Sequence, residues 1–201
     1  PVSTLYLPLP SIFISTLIIC YNCLIYERYT FPGQGSQIVG MGQEFYNNFE
    51  LVKKIFDEAD QKLNFKISKL ILEGPESDLK LTQNTQPAIL TVSYSIFSIL
   101  KKEFNFNFEN TKYFAGHSLG EYSALVCSNS LEFKDALYLL FERGKSMQEA
   151  VPVGQGSMIA VLGSKIENLN ELIKDTKING VCEIANDNAE GQTIISGDSE
   201  S

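Results

Sequence analysis

Apolar residues return at helical spacing through the middle of the chain. Phe45, Phe49, Val52, Ile55, Phe56 and Ala59 fall on one face of a helix predicted over 45–63, because positions three and four apart share a helical face. The same pattern resumes over 67–72 and stops at Gly74-Pro75. Thr85 reads as an N-cap and Gln86-Pro87 as the opening of a helix over 88–102, apolar on most sides and therefore central and buried. A polar-aromatic connector over 104–110 leads to a short strand over 112–116, and the chain turns helical at once over 119–127 and again over 136–150. Val151-Pro152-Val153-Gly154-Gln155-Gly156 then breaks the pattern. Beyond it, 157–162, 181–185 and 192–196 read as strands and 166–175 as a helix. Strands alternating with helices predict an α/β architecture.

The first residues follow neither period. No Lys, Arg, Asp or Glu occurs before Glu27, and the run from Ile12 to Tyr26 is apolar apart from a few small polar residues. Three readings compete for it: a signal-type leader, a short membrane span interrupted upstream by Pro8 and Pro10, or a gene-model artefact. Cys20 and Cys23 form a C-x-x-C here with no second pair, which assigns neither a metal nor a redox role. Residues 1–28 are therefore set apart from the fold, with a first subdomain over 29–150 and the start of a second over 151–201.

Composition changes this picture only by exclusion. With 44% hydrophobic and 20% charged residues in 201, the chain has the make-up of a globular domain and not of a collagenous or disordered one. Sixteen basic against 24 acidic residues leave a net charge of −8, which argues against general nucleic-acid binding. Four cysteines without regular spacing make no disulfide scaffold. The chain holds one histidine, His117.

That histidine lies in Gly116-His117-Ser118-Leu119-Gly120, a G-x-S-x-G placed after a predicted strand and before a predicted helix. A serine on so tight a turn is lifted clear of the sheet, and the N–H of Leu119 is placed to donate to an oxyanion developing beside it. Adjacent residues of an extended segment point to opposite faces, so His117 reads as a packing or structural residue and not as the base for Ser118. The base is then a carboxylate or lies outside this chain. Upstream, Pro32-Gly33-Gln34-Gly35-Ser36 and Gly40 mark backbone that must approach something closely. Arg143 sits about 40° from Met147 and about 60° from Leu140 on its helix, at the edge of the buried face. A guanidinium there requires an anionic partner and suits a carboxylate bound through both arms. The alternatives are an ion pair with Glu142 or Glu149, or snorkelling to solvent.

Four motifs occur in order: Phe31-Pro32-Gly33-Gln34-Gly35-Ser36-Gln37, Thr85-Gln86-Pro87-Ala88, Gly116-His117-Ser118-Leu119-Gly120-Glu121 and Arg143-Gly144-Lys145-Ser146-Met147-Gln148. Together they resemble the malonyl-CoA:acyl carrier protein transacylases of fatty acid synthesis. Asn186-Asp187-Asn188, followed by Gly191-Gln192 and Ile195-Ser196-Gly197, resembles a later motif of that family, so the likeness runs over 29–197. It implies a hydrolase-like α/β large subdomain with a central parallel sheet and a nucleophile elbow, and the first part of a ferredoxin-like small subdomain. It further implies that Ser118 is acylated by malonyl-CoA and passes the malonyl group to the phosphopantetheine thiol of acyl carrier protein. Gln34, through its main-chain N–H, would complete the oxyanion hole with Leu119. Arg143 would hold the malonyl carboxylate, and Gln86, Met147, Asn186 and Asn188 would line the cleft. No metal and no cofactor is implied beyond malonyl-CoA as substrate and the carrier's own phosphopantetheine; a monomer is expected.

Two departures from the family pattern carry expectations of their own. The family's catalytic histidine lies downstream of residue 201, so the chain as given is expected to lack its general base and to be weak or inactive. Glu27-Arg28-Tyr29-Thr30 is charged where an apolar first strand belongs, so that strand is expected to be poorly formed. An apolar leader fits import into a plastid or apicoplast, with a cytoplasmic enzyme as the alternative. Two other functions fit the residues: a Ser–Asp acyl hydrolase using Asp187, read as part of a polar loop, and an inactive truncated paralogue that binds CoA or carrier protein.

Overall fold

The apolar run after Thr85 becomes the axis of the first part of the molecule. In the computed structural model, which describes residues 18–19, 27–151, 154–175 and 180–200, helix α5 (Thr82–Lys102) is buried at nearly every position from Thr85 to Leu100. Around it pack α1 (Gln43–Asn48), α2 (Glu50–Leu63), α3 (Ile67–Glu73), α4 (Glu76–Leu79), α6 (Gly120–Cys127) and α7 (Phe133–Ala150). Val52 and Phe56 of α2, Ile67 and Ile71 of α3, Leu90 and Ile99 of α5, and Leu137 and Leu140 of α7 share this core. Each such side chain contributes about 1.5–3 kcal/mol through burial. The chain divides into two units between Met147 and Gln148. The segment 1–28 set apart above, with its C-x-x-C, lies outside the described residues except for Ile18, Ile19, Glu27 and Arg28, and the last two belong to the fold as the start of a strand.

The sheet of the first unit runs in the order β1-β2-β3. Strand β2 (Glu27–Phe31) is parallel to β3 (Thr111–Gly116), with Phe31 opposite Gly116. Strand β1 (Ile18–Ile19), which the sequence reading leaves outside the fold, lies antiparallel to β2 opposite Thr30 and Tyr29. The expectation that charge would spoil β2 is overturned. Alternation with period two buries Tyr29 (1% exposed) and Phe31 (3%) on one face. There they join Phe97, Ala124 and Cys127 in a second cluster, Tyr29 stacking on Phe114 at 5.7 Å. Arg28 and Thr30 take the exposed face, where the Arg28 guanidinium lies over the Tyr113 ring at 5.7 Å.

Three helix boundaries also differ from expectation. The helix expected over 45–63 is two helices, because Phe49 is extended (φ −124°, ψ 118°) between α1 and α2. Thr85 is not an N-cap: α5 starts a turn earlier, at Thr82, and Pro87 lies inside it. The amides of Asn84 and Thr85 both bond to the Leu81 carbonyl at 2.8 Å, which forms a first turn ahead of the proline. The Thr85 hydroxyl reaches the Leu79 carbonyl at 2.5 Å instead. Helix α7 begins at Phe133, ahead of the expected position 136, because Phe133 is itself a core residue.

The second unit contains β4 (Gly156–Leu162), α8 (Ile166–Asp175), β5 (Cys182–Ala189) and β6 (Gln192–Asp198). Its strands are antiparallel in the order β4-β6-β5, and the run β-α-β-β is the first four of the six elements of a ferredoxin-like motif. Strand β5 is longer than expected and takes in Asn186-Asp187-Asn188, so Asp187 stands opposite Thr193 in the sheet and not in a polar loop. Register shifts at Ile184/Asn186 and Asp187/Ala189 let this polar stretch remain paired. Among the described residues, no helix is long and apolar enough to cross a membrane.

Candidate active site

Strand β3 ends at Gly116 and α6 begins at Gly120, leaving three residues to reverse the chain. Ser118 takes the left-handed conformation, φ +54°, which costs a residue with a side chain about 1–2 kcal/mol. The turn is held by Gly120 N–H to the His117 carbonyl at 2.9 Å, and by the Glu121 and Tyr122 amides to the Ser118 and Leu119 carbonyls, each at 3.1 Å. Both glycines of the motif are dictated by backbone contact. A Cβ on Gly116 would meet the Gly120 carbonyl at 2.0 Å, and one on Gly120 would meet the Phe31 carbonyl oxygen at 2.4 Å. Leu119 anchors the turn with a fully buried side chain. None of these bonds uses its amide, which stands at the amino end of α6 where N–H groups have no helical acceptor. Ser118 itself is exposed.

Because Phe31 pairs with Gly116, the loop that leaves β2 emerges beside this turn. A Cβ on Gly33 would lie 2.7 Å from His117 Nδ1 and 3.0 Å from the His117 carbonyl oxygen, so glycine permits the two segments to touch. The loop is braced internally by Ser36 Oγ donating to the Gly33 carbonyl (2.9 Å) and by the Gly35 amide donating to Gln37 Oε1 (2.8 Å). Neither bond uses the Gln34 amide. His117 lies against Gly33, and its main-chain N–H bonds the Phe31 carbonyl at 3.3 Å.

Arg143 reaches the elbow from α7. Its Nη2 donates to Ser118 Oγ at 3.0 Å and its Nη1 to Gln86 Oε1 at 2.6 Å. Gln86 is 0% exposed, and its Nε2 meets Met147 Sδ at 3.4 Å. The buried amide thus grips two residues one turn apart on α7. Gly144 makes this approach possible: a Cβ there would fall 2.5 Å from Gln83 Cα and 2.6 Å from the Thr82 carbonyl oxygen. The expected alternatives for Arg143, an ion pair with Glu142 or Glu149 or a solvent-directed side chain, do not describe it. Among the described residues its partners are a neutral amide and a neutral hydroxyl.

Ser118, Leu119, Gln34, Arg143, Gln86 and Met147 thus belong to one region of the first unit, while Asn186 and Asn188 lie on β5 of the second. A hydroxyl on such a turn, at the amino end of a helix and beside a guanidinium, can attack a carbonyl, and main-chain amides there can stabilise the resulting oxyanion. Among the described residues, neither an imidazole nor a carboxylate is bonded to Ser118 Oγ, and no cluster of His, Cys, Asp or Glu could hold a metal ion. The sequence reading gave no role to Gly144, although a glycine inside a strong helical pattern signals close packing. Thr82, whose Oγ1 accepts a bond from Gln34 Nε2 at 3.3 Å, carries no such signal.

A strand–Ser–helix elbow at the carboxyl end of a parallel strand, faced by a second loop and an arginine, is the frame of an acyl-transferring α/β domain. The model of the acyl transferase domain family matches residues 28–201, and the chain belongs to that family. Among individual proteins, it is 46% identical over 170 residues to the malonyl CoA-acyl carrier protein transacylase of Bacillus subtilis, covering 84% of this chain and 52% of that one. The Escherichia coli K12 protein of the same name is 38% identical over 172 residues, covering 86% and 55%. Among solved structures, an acyl-carrier-protein-S-malonyltransferase from Bartonella henselae superposes with TM-score 0.79 at 43% identity, over 85% of this chain and 54% of that one. A malonyl-transacylase in complex with its type II PKS acyl-carrier protein gives TM-score 0.77 at 39% identity, over 85% and 54%. The chain spans about half the length of these relatives.

Proposed function

We propose that this protein moves a malonyl group from malonyl-CoA to the phosphopantetheine thiol of an acyl carrier protein, with a malonyl-Ser118 ester between the two transfers, in the service of fatty acid synthesis. The observation that carries this reading is the Arg143 guanidinium, one arm fixed by buried Gln86 and the other 3.0 Å from Ser118 Oγ. An acyl group on Oγ that ends in a carboxylate two carbons beyond its carbonyl places that carboxylate within reach of the same fork. An acetyl group offers it nothing.

In the first transfer, Ser118 Oγ attacks the thioester carbonyl and gives its proton to a general base. The carbonyl oxygen takes the negative charge and accepts hydrogen bonds from the Leu119 and Gln34 amides. Collapse breaks the C–S bond and releases CoA as its thiol. In the second, the carrier's thiol attacks the ester carbonyl, the same two amides receive the oxyanion, and Ser118 leaves with a proton restored. The names of the relatives agree with this substrate and acceptor.

Radiolabelled malonyl-CoA with holo acyl carrier protein tests the reading. The label should move to the carrier in proportion to enzyme, and Ser118→Ala should abolish transfer. Label released to water at the same rate with and without carrier would identify a hydrolase and refute the proposal.

A further inference from the structure

We propose that Thr82 is a positioning residue for the oxyanion loop: its hydroxyl holds the Gln34 side chain and so keeps the Gln34 amide facing the Ser118 turn. This rests on the transfer reading above and adds a residue that acts through another.

Gln34 lies between Gly33 and Gly35, and Gly35 has φ +106°. Glycines on both sides leave its backbone little restrained by its neighbours. Its side chain is exposed, so packing does not order it either. The braces inside the loop, from Ser36 to Gly33 and from Gly35 to Gln37, shape the loop without tying it to the rest of the fold. The bond from Gln34 Nε2 to Thr82 Oγ1 does tie it, across 48 residues of sequence. A second, independent observation makes Thr82 a firm anchor. The Thr82–Gln83 turn is a place where α7 lies directly against α5: a Cβ on Gly144 would fall 2.6 Å from the Thr82 carbonyl oxygen and 2.5 Å from Gln83 Cα. The turn that sets Arg143 against Gln86 therefore also supports Gln34, and the oxyanion donor and the carboxylate fork share one support.

The test compares Thr82→Val, which keeps the shape and removes the hydroxyl, with Thr82→Ser, which keeps the hydroxyl, in the intact protein. Amide hydrogen exchange over 33–37 is followed together with kcat and KM for malonyl transfer. Thr82→Val should speed exchange in this loop about threefold, as expected for loss of one modest hydrogen bond. It should lower kcat about tenfold with KM held within about twofold, since a displaced oxyanion donor acts on the transition state. Thr82→Ser should restore both, and the melting temperature of all three proteins should agree. Unchanged kcat in Thr82→Val would overturn the proposal, whatever the exchange shows, and so would a Thr82→Ser protein as slow as Thr82→Val. A wild-type protein that transfers no malonyl group would refute the function reading instead. The tether itself would still be read from exchange alone, where an unchanged loop in Thr82→Val removes it.

Discussion

At the scale of single residues, Arg143 separates the two things the site must do. It donates to Ser118 Oγ, yet a guanidinium offers only donors and cannot accept the serine proton. On the proposed reading its contribution is to the acyl group that follows. Arg143→Ala should lower kcat/KM for malonyl-CoA at least about a hundredfold, the scale of a lost charge-assisted pair, while acetyl transfer stays within about threefold or rises. Competition between the two thioesters measures this directly, and equal losses for both would remove the carboxylate fork from the account. Gln86 is the residue that holds Arg143 in place. Fully buried, it gives its oxygen to Arg143 and its nitrogen to Met147, so both ends of a side chain that is costly to bury are satisfied.

At the scale of elements, the site depends on how closely α7 approaches α5. Gly144→Ala puts a methyl group within 2.5–2.8 Å of the Gln83 and Thr82 main chain, where no side chain can yield. Helix α7 must then shift by about 1 Å, which should cost about 2 kcal/mol of stability and about a hundredfold in malonyl transfer. Urea melts and single-turnover acylation check the two parts separately. The elbow was legible in the sequence because its glycines answer a local demand, the crossing of β3, α6 and the end of β2. The start of α5 was not. Pro87 fits a first turn, but the Leu81 carbonyl collects two amides ahead of it and moves the start back to Thr82. The charges of β2 argue against a strand only until their spacing is counted: alternation sends Arg28 to the exposed face. The joining of Arg143, Gln86 and Ser118 spans 57 and 25 residues of chain. Local pattern cannot supply such a contact, and only the family likeness anticipated that these residues act together.

At the scale of the whole molecule, the aromatic cluster under the sheet couples stability to pH. Burial raises the Cys127 thiol above its ordinary range, outweighing an opposing pull from Lys101, and burial likewise raises the Tyr94 hydroxyl. A group whose pKa is raised by folding contributes its stability below the unfolded-state value and loses it as pH rises past that value. For cysteine the decline begins at about pH 8.5, at about 1.4 kcal/mol per pH unit for the one thiol. Cys127→Ala should flatten the fall in urea-melt stability between about pH 8.5 and pH 10, and an equally steep fall in that variant would assign the effect elsewhere. On the proposed reading the site forms an ester on Ser118, which is held in a left-handed turn. The most direct measurement is therefore a peptide mass spectrum of the protein quenched after a single turnover with malonyl-CoA, set beside one with acetyl-CoA. The expected result is one malonyl group on Ser118 and little or no acetyl under the same conditions. A malonyl group on another residue, or equal labelling of Ser118 by both thioesters, would contradict the account.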